Sequence, residues 1–472
     1  MPARLLPLAL VALALMTGCG ASEQAAGTTP DSASLAPADA VAYLTLVSDE
    51  GSAEWRRAER LLDVFPLARD ALLDAVRDGL ASEGLDWAQD VAPALGPEVV
   101  VVATADQRPV ILTQPRSTAK LDELLAESDE PLVRATVGGW TALAERESDL
   151  AAYRAALERG TLKESDALGE ALAALPEDAL ARVWLDVSVL GEQLAGALPG
   201  ADGEGEVGIE SVAAAISAED DGLRLSVTME TADDAGGTSY EPELFARVPA
   251  DAVVALSFGG TQGIVDRVQG RIDLDEVSAQ LEDAVGVSLD GVLDALGGEG
   301  VLYVREGGEG ELPEVTLALD PPDRDEALRT VDALVHRVAE ELDAPVRTVR
   351  EDGVELRRTE AEGFALAYGE VDDVMVVTTA TGAIATFRGD GAKLADADAF
   401  VRAAERVGLE ERTTGFAYVD LDGLVPFAEG LAGEDLPPEG RDALRALDSF
   451  ILQSEDEGDR SRLSGFVRIA EG

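Results

Sequence analysis

Residues 37–46 read PADAVAYLTL, and residues 249–258 repeat the phrase as PADAVVALSF. A second shared phrase follows each copy, GLDWAQDVAPALGPEVVVV at 84–102 and GVSLDGVLDALGGEGVLYV at 286–304. Four further blocks keep one order in both halves of the chain: 109–125 with 313–331, 162–168 with 394–400, 181–190 with 415–424, and 210–230 with 448–470. Blocks that recur in the same order predict an internal duplication.

Short runs of β-branched and apolar residues bounded by turn residues predict strands in each half, for example at 98–104 and 374–379. Successive runs lie only a few residues apart, as at 354–359 and 364–368, which predicts antiparallel hairpins. Apolar residues at three- and four-residue spacing over 325–342 predict a helix. We therefore expect an α+β fold of two related halves, each a mainly antiparallel sheet with packed helices.

The repeats also predict how the chain is divided. The first repeat is expected at 37–232 and the second at 248–472. Residues 233–247 contain Gly-Gly-Thr-Ser, which is typical of a loop, and they are predicted to link the repeats. Each half is long enough to bury a core of its own.

The N-terminus predicts export and lipid anchoring. Residues 1–18 read as a signal peptide, with a positive start, an apolar run at 5–16 and small residues after it. The apolar run is shorter than the ~20 residues that cross a bilayer as a helix. MTGC at 16–19 resembles a bacterial lipobox, so Cys19, the one cysteine, is the predicted lipidation site on the extracytoplasmic face of the membrane. Residues 19–36 are small and polar, as expected of a flexible lipidated tether.

The charge of the chain restricts its partners. With 37 basic and 93 acidic residues, the formal net charge is −56. Such a surface repels nucleic acid and anionic headgroups, so we expect no nucleic-acid partner and membrane contact only through the lipid at Cys19. The acidity fits either a GC-rich genome or a saline habitat, in which salt screens the self-repulsion. A single cysteine predicts neither an internal disulfide nor a thiolate metal site.

One catalytic motif occurs in the sequence. Ser117-Thr-Ala-Lys120 fits the S-x-x-K pattern of penicillin-recognising enzymes, but the chain has no Asn for the accompanying S-D-N element. The matching place in the second repeat reads Asp323-Arg-Asp-Glu326, a helix start, so Ser117 is predicted to cap a helix. His336, the only histidine, is expected on a helix surface. We predict no catalytic residues and no enzyme activity.

Carboxylates at two strand ends are the next candidates. Asp186 and Asp420 occupy matching positions at a strand end, and both are predicted to be strand-terminating caps rather than metal ligands. The other acidic groups lack the D-x-D-x-D-G spacing of a calcium loop: Asp220 with Asp221, and Asp202 with Glu204 and Glu206. We expect neither a metal site nor a cofactor.

Four tryptophans could offer a stacking surface for a sugar: Trp55, Trp87, Trp140 and Trp184. Two of them, Trp87 and Trp184, align with apolar residues of the second repeat. Core packing is therefore the favoured interpretation.

Several of these stretches together resemble the DUF3352 family. They are the lipobox, PADAVAYLTL, LLDVFP at 61–66, GLDWAQDVAPALGPEVVVV, and LKESDALGEALAALP at 162–176. The resemblance spans most of 37–471 and implies an exported, mostly actinobacterial protein without assigned function. It brings no catalytic residues, and the second half lacks the Phe-Pro that ends LLDVFP.

The sequence thus predicts an anchored protein that binds or scaffolds at the cell envelope, with an unknown protein or small-molecule ligand. One alternative is the substrate-binding lipoprotein of a transporter, which needs parallel βαβ lobes around a cleft. The other is a hydrolase that uses carboxylates alone, which needs two of them ~5–9.5 Å apart in a deep pocket.

Overall fold

The computed structural model describes residues 31–64, 80, 85–104, 109–127, 132–194, 209–231, 239–260, 297–307, 313–341, 343–361, 364–380, 382–432, 441 and 444–470. The predicted signal peptide, Cys19 and the tether up to residue 30 lie outside them. The chain divides into two compact units. Described residues 31–194, 209–231 and 462–470 form the first unit, and those between 239 and 461 form the second. Within these ranges, no helix has the length and apolarity needed to cross a membrane.

The first unit is built on an antiparallel sheet. Its strands are β1 (Ala40–Val47), β2 (Glu98–Thr104), β3 (Pro109–Thr113), β4 (Val133–Val137), β5 (Trp140–Ala144), β6 (Ala181–Asp186), β7 (Ile209–Ala218) and β8 (Gly222–Thr231). Their order across the sheet is β4-β5-β3-β2-β1-β6-β7-β8. The last strand of the chain, Arg460–Ile469, is labelled β18 and lies beside β8.

The helices of this unit are α1 (Ala53–Val64), α2 (Thr118–Glu127), α3 (Glu147–Leu157), α4 (Asp166–Ala173) and α5 (Val187–Leu194). Shorter helical turns are formed by Asp31–Leu35, Trp87–Val91, Ala92–Ala94 and Leu162–Glu164. In β1, Tyr43 is buried whereas its neighbour Leu44 is only partly buried, because successive side chains of a strand point to opposite faces. Tyr43 joins the main core of the unit with Tyr153 of α3 and Leu168 of α4. Full burial of a large apolar side chain contributes about 1.5–3 kcal/mol.

The second unit also has an antiparallel sheet. Its strands are β9 (Ala252–Gly259), β10 (Glu299–Arg305), β11 (Glu314–Asp320), β12 (Arg347–Glu351), β13 (Val354–Ala361), β14 (Phe364–Val371), β15 (Val374–Thr378), β16 (Gly415–Asp420) and β17 (Leu447–Glu457). They follow the order β12-β13-β14-β15-β11-β10-β9-β16-β17. The predicted α+β class with mainly antiparallel sheets is therefore confirmed for both units.

The helices of the second unit are α6 (Arg324–Glu341), α7 (Ala383–Arg388), α8 (Asp398–Val407) and α9 (Leu421–Ala432), with short turns at Phe245–Arg247 and Leu394–Asp396. An aromatic cluster lies in its core. The ring of Phe245 lies 4.7 Å from that of Phe400 and 4.8 Å from that of Phe416, centroid to centroid. Such pairs add roughly 0.5–1.5 kcal/mol beyond the apolar area that they bury.

Each unit contains a tight hairpin at the same place in its sheet. The second strand of the hairpin pairs with β3 in the first unit and with β11 in the second. The β4–β5 turn is Gly138-Gly139, with φ of +55° and +83°. The β14–β15 turn is Asp372-Asp373, with φ of +48° and +64°. Two successive residues with positive φ match the twist of the flanking strands, which is why glycine or aspartate occurs there.

Three predicted boundaries need correction. Residues 31–36 belong to the folded body rather than to the tether, because Ala33 and Leu35 are buried in the core of the first unit. The described part of the predicted linker, 239–247, packs into the second unit through Leu244 and Phe245. From Arg462 onward, β18 groups with the first unit rather than with the second repeat. Composition alone did not separate the first two of these short segments from loops, and the order of the repeats assigned β18 to the second half.

Candidate ligand-binding cleft

A cleft of about 580 Å³ opens in the first unit. Its walls come from the turn Asp31–Leu35, the β4–β5 hairpin and the end of α3. Its polar lining consists of Asp31, Ser32, Ser34, Glu98 and Gln114, and its apolar lining of Leu35, Val137, Trp140 and Leu157, with Gly138 at the hairpin tip. The volume lies within the range of ~300–1,000 Å³ that is typical of small-molecule sites.

Glu98 is the half-buried carboxylate of this cleft. It begins β2 and lies opposite Val47 in the register with β1. Ser32 Oγ donates a hydrogen bond to Glu98 Oε1 at 3.1 Å and lies 2.8 Å from Tyr43 Oη. Because Ser32 has one proton, Tyr43 donates to Ser32 when Ser32 donates to Glu98. Burial raises the pKa of Tyr43, which keeps its hydroxyl protonated for this role.

The electrostatics of Glu98 reflect its burial. Burial raises the pKa of the Glu98 carboxyl, while the Ser32 hydrogen bond and the charge of Arg182 oppose that rise. The side-chain hydrogen bonds of Arg182 go to the carbonyl oxygens of Pro176 and Glu177. Arg182 therefore acts on Glu98 through its charge, whereas Glu98 accepts a hydrogen bond from the neutral hydroxyl of Ser32.

The turn that carries Ser32 is fixed in position by two contacts. Tyr153 Oη of α3 donates a hydrogen bond to the carbonyl oxygen of Leu35. A Cβ at Gly138 would lie 2.9 Å from Leu35 Cδ2, so the hairpin tip and the turn touch closely at a position where φ also favours glycine. The turn is therefore held against α3 by a hydrogen bond and against the hairpin tip by packing.

The rim carries a second carboxylate in a different state. Asp31 is fully exposed, and Lys163 Nζ lies 2.6 Å from its Oδ1. The hydrogen bond from Lys163 lowers the pKa of Asp31, so this carboxylate is ionised and paired with Lys163. Asp31 is fully exposed at the rim of the cleft, whereas a pair of hydrolytic carboxylates lies within one enclosed pocket.

The helix-cap predictions are confirmed. Ser117 Oγ accepts a hydrogen bond from the backbone N–H of Lys120 at 3.3 Å at the start of α2. At the matching place in the second unit, Asp323 Oδ1 accepts from the N–H of Glu326 at 3.0 Å. The hydroxyl of the S-x-x-K motif thus serves to cap a helix.

The strand-end aspartates are caps as well. Asp186 Oδ1 accepts from the N–H of Val189 at 3.3 Å, and Asp420 Oδ1 accepts from the N–H of Gly423 at 3.1 Å. Burial raises the pKa of Asp420. Over the described ranges, no cluster of three or more His, Cys, Asp or Glu side chains could hold a metal ion. Asp202, Glu204 and Glu206 lie outside those ranges.

The histidine and the tryptophans were mostly placed correctly by the sequence. His336 is half exposed on α6, with its Nδ1 2.8 Å from the carbonyl oxygen of Asp332. Trp184 is buried in the core, and Trp55 and Trp87 pack against small apolar clusters, as predicted. Trp140 differs, because it packs on the edge of the main core while lining the cleft.

Sequence reasoning missed Glu98, although a signal was present. The shared second phrase contains Gly-Pro-Glu98 in the first copy and Gly-Gly-Glu299 in the second. In the second unit, Glu299 Oε1 accepts a hydrogen bond from the backbone N–H of Leu244 at 2.5 Å. Burial raises the pKa of Glu299 to about 7. A repeated glutamate at the start of a buried strand, where charge is disfavoured, points to a retained role.

Comparisons with known proteins add little. No protein-family model matches the chain, and no curated protein matches it either. Among solved structures, crystal form IV of TP0453 is 10% identical over 48% of this chain and 92% of that chain, with a TM-score of 0.25. Form III is 9% identical over 43% and 80%, with a TM-score of 0.24, and form I is 8% identical over 43% and 79%, with a TM-score of 0.23. Similarity at this level carries no argument about fold or function.

Proposed function

We propose that the protein is a lipid-anchored binding protein on the extracytoplasmic face of the cell membrane, and that the cleft of the first unit is its ligand site. The observation that carries the proposal is the lining of the cleft. A half-buried carboxylate, Glu98, shares a space of about 580 Å³ with the apolar wall of Trp140 and Leu157. A few polar groups within an apolar pocket are typical of sites that bind and orient small molecules.

The lipobox supports the location. Lipidation at Cys19 would place the anchor twelve residues before Asp31, which lines the cleft. A flexible chain of that length spans roughly 17–21 Å on average. The cleft would therefore lie within about one small-domain diameter of the membrane surface. The resemblance to the DUF3352 family is consistent with export but names no ligand.

We also propose that the two units arose by duplication. The order of equivalent strands is the same in both: β5-β3-β2-β1-β6-β7 in the first and β15-β11-β10-β9-β16-β17 in the second. Glu98 lies opposite the last residue of β1, and Glu299 lies opposite the last residue of β9. The hairpins with two positive-φ residues occur at the same place in both orders. These agreements support common descent of the units, together with the shared phrases of the sequence.

The two alternatives gain no support. A transporter's binding lipoprotein would use parallel βαβ lobes, whereas the described pairings within each unit are antiparallel. A carboxylate hydrolase would use two enclosed carboxylates, whereas Asp31 is exposed and paired with Lys163.

Cell fractionation tests the anchored location. Wild type and Cys19→Ser are expressed with the native N-terminus, and the membrane and soluble fractions are compared by immunoblot. We expect the wild type in the membrane fraction and Cys19→Ser in the soluble exported or precursor pool. Glu98→Gln is the control and should stay with the membrane. Membrane retention of Cys19→Ser that equals the wild type would contradict the proposal.

A further inference from the structure

We propose that the cleft of the first unit binds a small organic ammonium compound, with its cationic nitrogen at Glu98 and its apolar body against Trp140 and Leu157. This inference rests on the proposed binding function, and it adds the chemical class of the ligand. It is argued from the partners of Glu98, from the composition of the walls and from the contrast with the second unit.

Glu98 has capacity for a cationic donor. An ionised carboxylate offers two oxygens with about four acceptor positions, and the hydrogen bond from Ser32 uses one of them. The nearby cation, Arg182, directs its guanidinium to the carbonyl oxygens of Pro176 and Glu177. An ammonium group has three N–H donors, so it could bond to Glu98 and also to the side-chain oxygen of Gln114, which lines the same cleft.

The walls fit the rest of such a molecule. Trp140, Val137 and Leu157 provide an apolar side on which the body of the ligand packs. Asp31 and Glu98 both disfavour an anionic ligand, and the net charge of −56 raises the local concentration of cations at the surface.

The second unit provides an internal control. By strand register, the position of Trp140 at the start of β5 corresponds to Val374 at the start of β15, and Val374 is buried. Glu299 corresponds to Glu98, but its partner is the backbone N–H of Leu244. The second unit therefore has the carboxylate without the indole wall. We expect the ammonium compound to depend on Glu98 and not on Glu299.

Titration calorimetry on the full-length protein in non-ionic detergent tests this proposal. The probe is phenethylammonium chloride, and the comparison compounds are 2-phenylethanol and 3-phenylpropionate, which have a similar apolar body without the positive charge. We expect saturable binding of phenethylammonium by the wild type and at least about tenfold weaker binding by Glu98→Gln, because a hydrogen bond to a charged group is lost. Trp140→Ala should weaken binding several-fold, and Glu299→Gln should bind like the wild type.

Each other outcome has a defined meaning. Equal affinity of wild type and Glu98→Gln, in variants with the same circular dichroism and melting temperature, overturns the proposal. Absence of saturable binding by the wild type up to about 10 mM phenethylammonium also overturns it. If 2-phenylethanol or 3-phenylpropionate binds instead, and Trp140→Ala removes that binding, the ligand class is wrong while the cleft remains a binding site. The Cys19→Ser fractionation is independent of all these results, so failure of the ligand class and failure of the anchored function can be told apart.

Discussion

The segments that lead into β1 and β9 are attached to their units by different chemistry. In the first unit, the turn Asp31–Leu35 is attached by hydroxyl groups, since Tyr43 lies in hydrogen-bond contact with Ser32 and Tyr153 donates to the Leu35 carbonyl. In the second unit, Phe245 of the corresponding segment packs on two other aromatic rings, in addition to a hydroxyl contact between Tyr240 and Ser257 at 2.7 Å. Each segment donates a hydrogen bond to a glutamate at the start of a neighbouring strand, Glu98 of β2 in the first unit and Glu299 of β10 in the second.

The difference explains why the described cleft belongs to the first unit. In the first unit, single hydrogen bonds from hydroxyl groups attach the segment. A space remains beside Glu98, and Trp140 and Leu157 line it. In the second unit, Glu299 accepts the N–H of Leu244, and the acidic neighbours Glu243 and Asp320 contribute to its raised pKa. Under the proposed duplication, one carboxylate position would serve the proposed ligand site in the first unit and a backbone contact in the second. Four measurements test this contrast.

The largest expected effect is on the aromatic attachment. Phe245→Ala removes a buried ring between Phe400 and Phe416, and truncations of this kind cost about 3–5 kcal/mol. Urea unfolding followed by circular dichroism measures the loss, because all four tryptophans lie in the first unit and do not report on the second. If Phe245→Ala destabilises the protein no more than the hydroxyl deletion described next, the segments are not attached by different chemistry.

Tyr153→Phe tests the polar attachment. The variant keeps the buried ring and removes only the hydroxyl that donates to the Leu35 carbonyl. An unsatisfied buried carbonyl costs roughly 1–3 kcal/mol, so we expect a loss in that range by urea unfolding. We also expect weaker binding of phenethylammonium, because the turn that carries Ser32 is released. Unchanged stability and unchanged binding would show that Tyr153 does not hold this wall.

The pH dependence of stability tests the raised pKa of Glu299. The folded pKa of Glu299, about 7, lies above its ordinary value of 4.5, so the folded state binds more protons than the unfolded state between these values. The Glu299 carboxyl therefore makes its full contribution to stability below about pH 4.5. That contribution is lost as the pH rises through about 7, and above this pH the group adds no further pH dependence.

Glu299→Gln should remove that loss. Because the side chain is partly exposed, we discount the effect to about 1 kcal/mol at pH 8. Urea midpoints of wild type and variant at pH 5, 6, 7 and 8 should diverge as the pH rises, with the variant the more stable above pH 7. Glu98→Gln should show the same sign, since burial also raises the pKa of Glu98. Parallel curves for Glu299→Gln and the wild type would contradict a carboxyl that titrates near neutrality.

The smallest expected effect concerns the hairpin turns. Asp373 has a φ of +64°, where glycine is favoured, so Asp373→Gly should stabilise the second unit by about 0.5 kcal/mol despite its exposed contact with Arg324. In the first unit, a Cβ at Gly139 would meet nothing within 4 Å, so Gly139→Asp should destabilise by a similar amount through backbone conformation alone. Thermal melting of both variants checks the signs. Shifts of the same sign would show that the turns are not equivalent.

The sequence predicted the features that depend on residues close together in the chain. The hairpins, the caps at Ser117 and Asp186, and the strand Glu98–Thr104 follow from residues close together in the chain. The site itself depends on Ser32 meeting Glu98, a contact between residues 66 positions apart. No local pattern distinguishes Ser32 from the small polar residues before it, so it was assigned to the tether.

Trp140 shows a second limit of the sequence. It was predicted to pack in the core because apolar residues are most often buried. Its position at the start of β5, directly after a two-residue turn, leaves its side chain at the edge of the core and beside the cleft. Which apolar residues line a cleft is decided by how the turn Asp31–Leu35 covers the sheet, and that is a tertiary contact.

Hydrogen–deuterium exchange of the full-length protein with and without phenethylammonium most directly tests whether the first unit alone carries the ligand site. Peptides that cover 31–36 and 133–144 should exchange more slowly with the compound present, whereas peptides that cover 239–247 and 371–378 should be unchanged. Equal protection of both sets, or protection of the second set alone, would contradict the assignment of the site to Glu98 and Trp140.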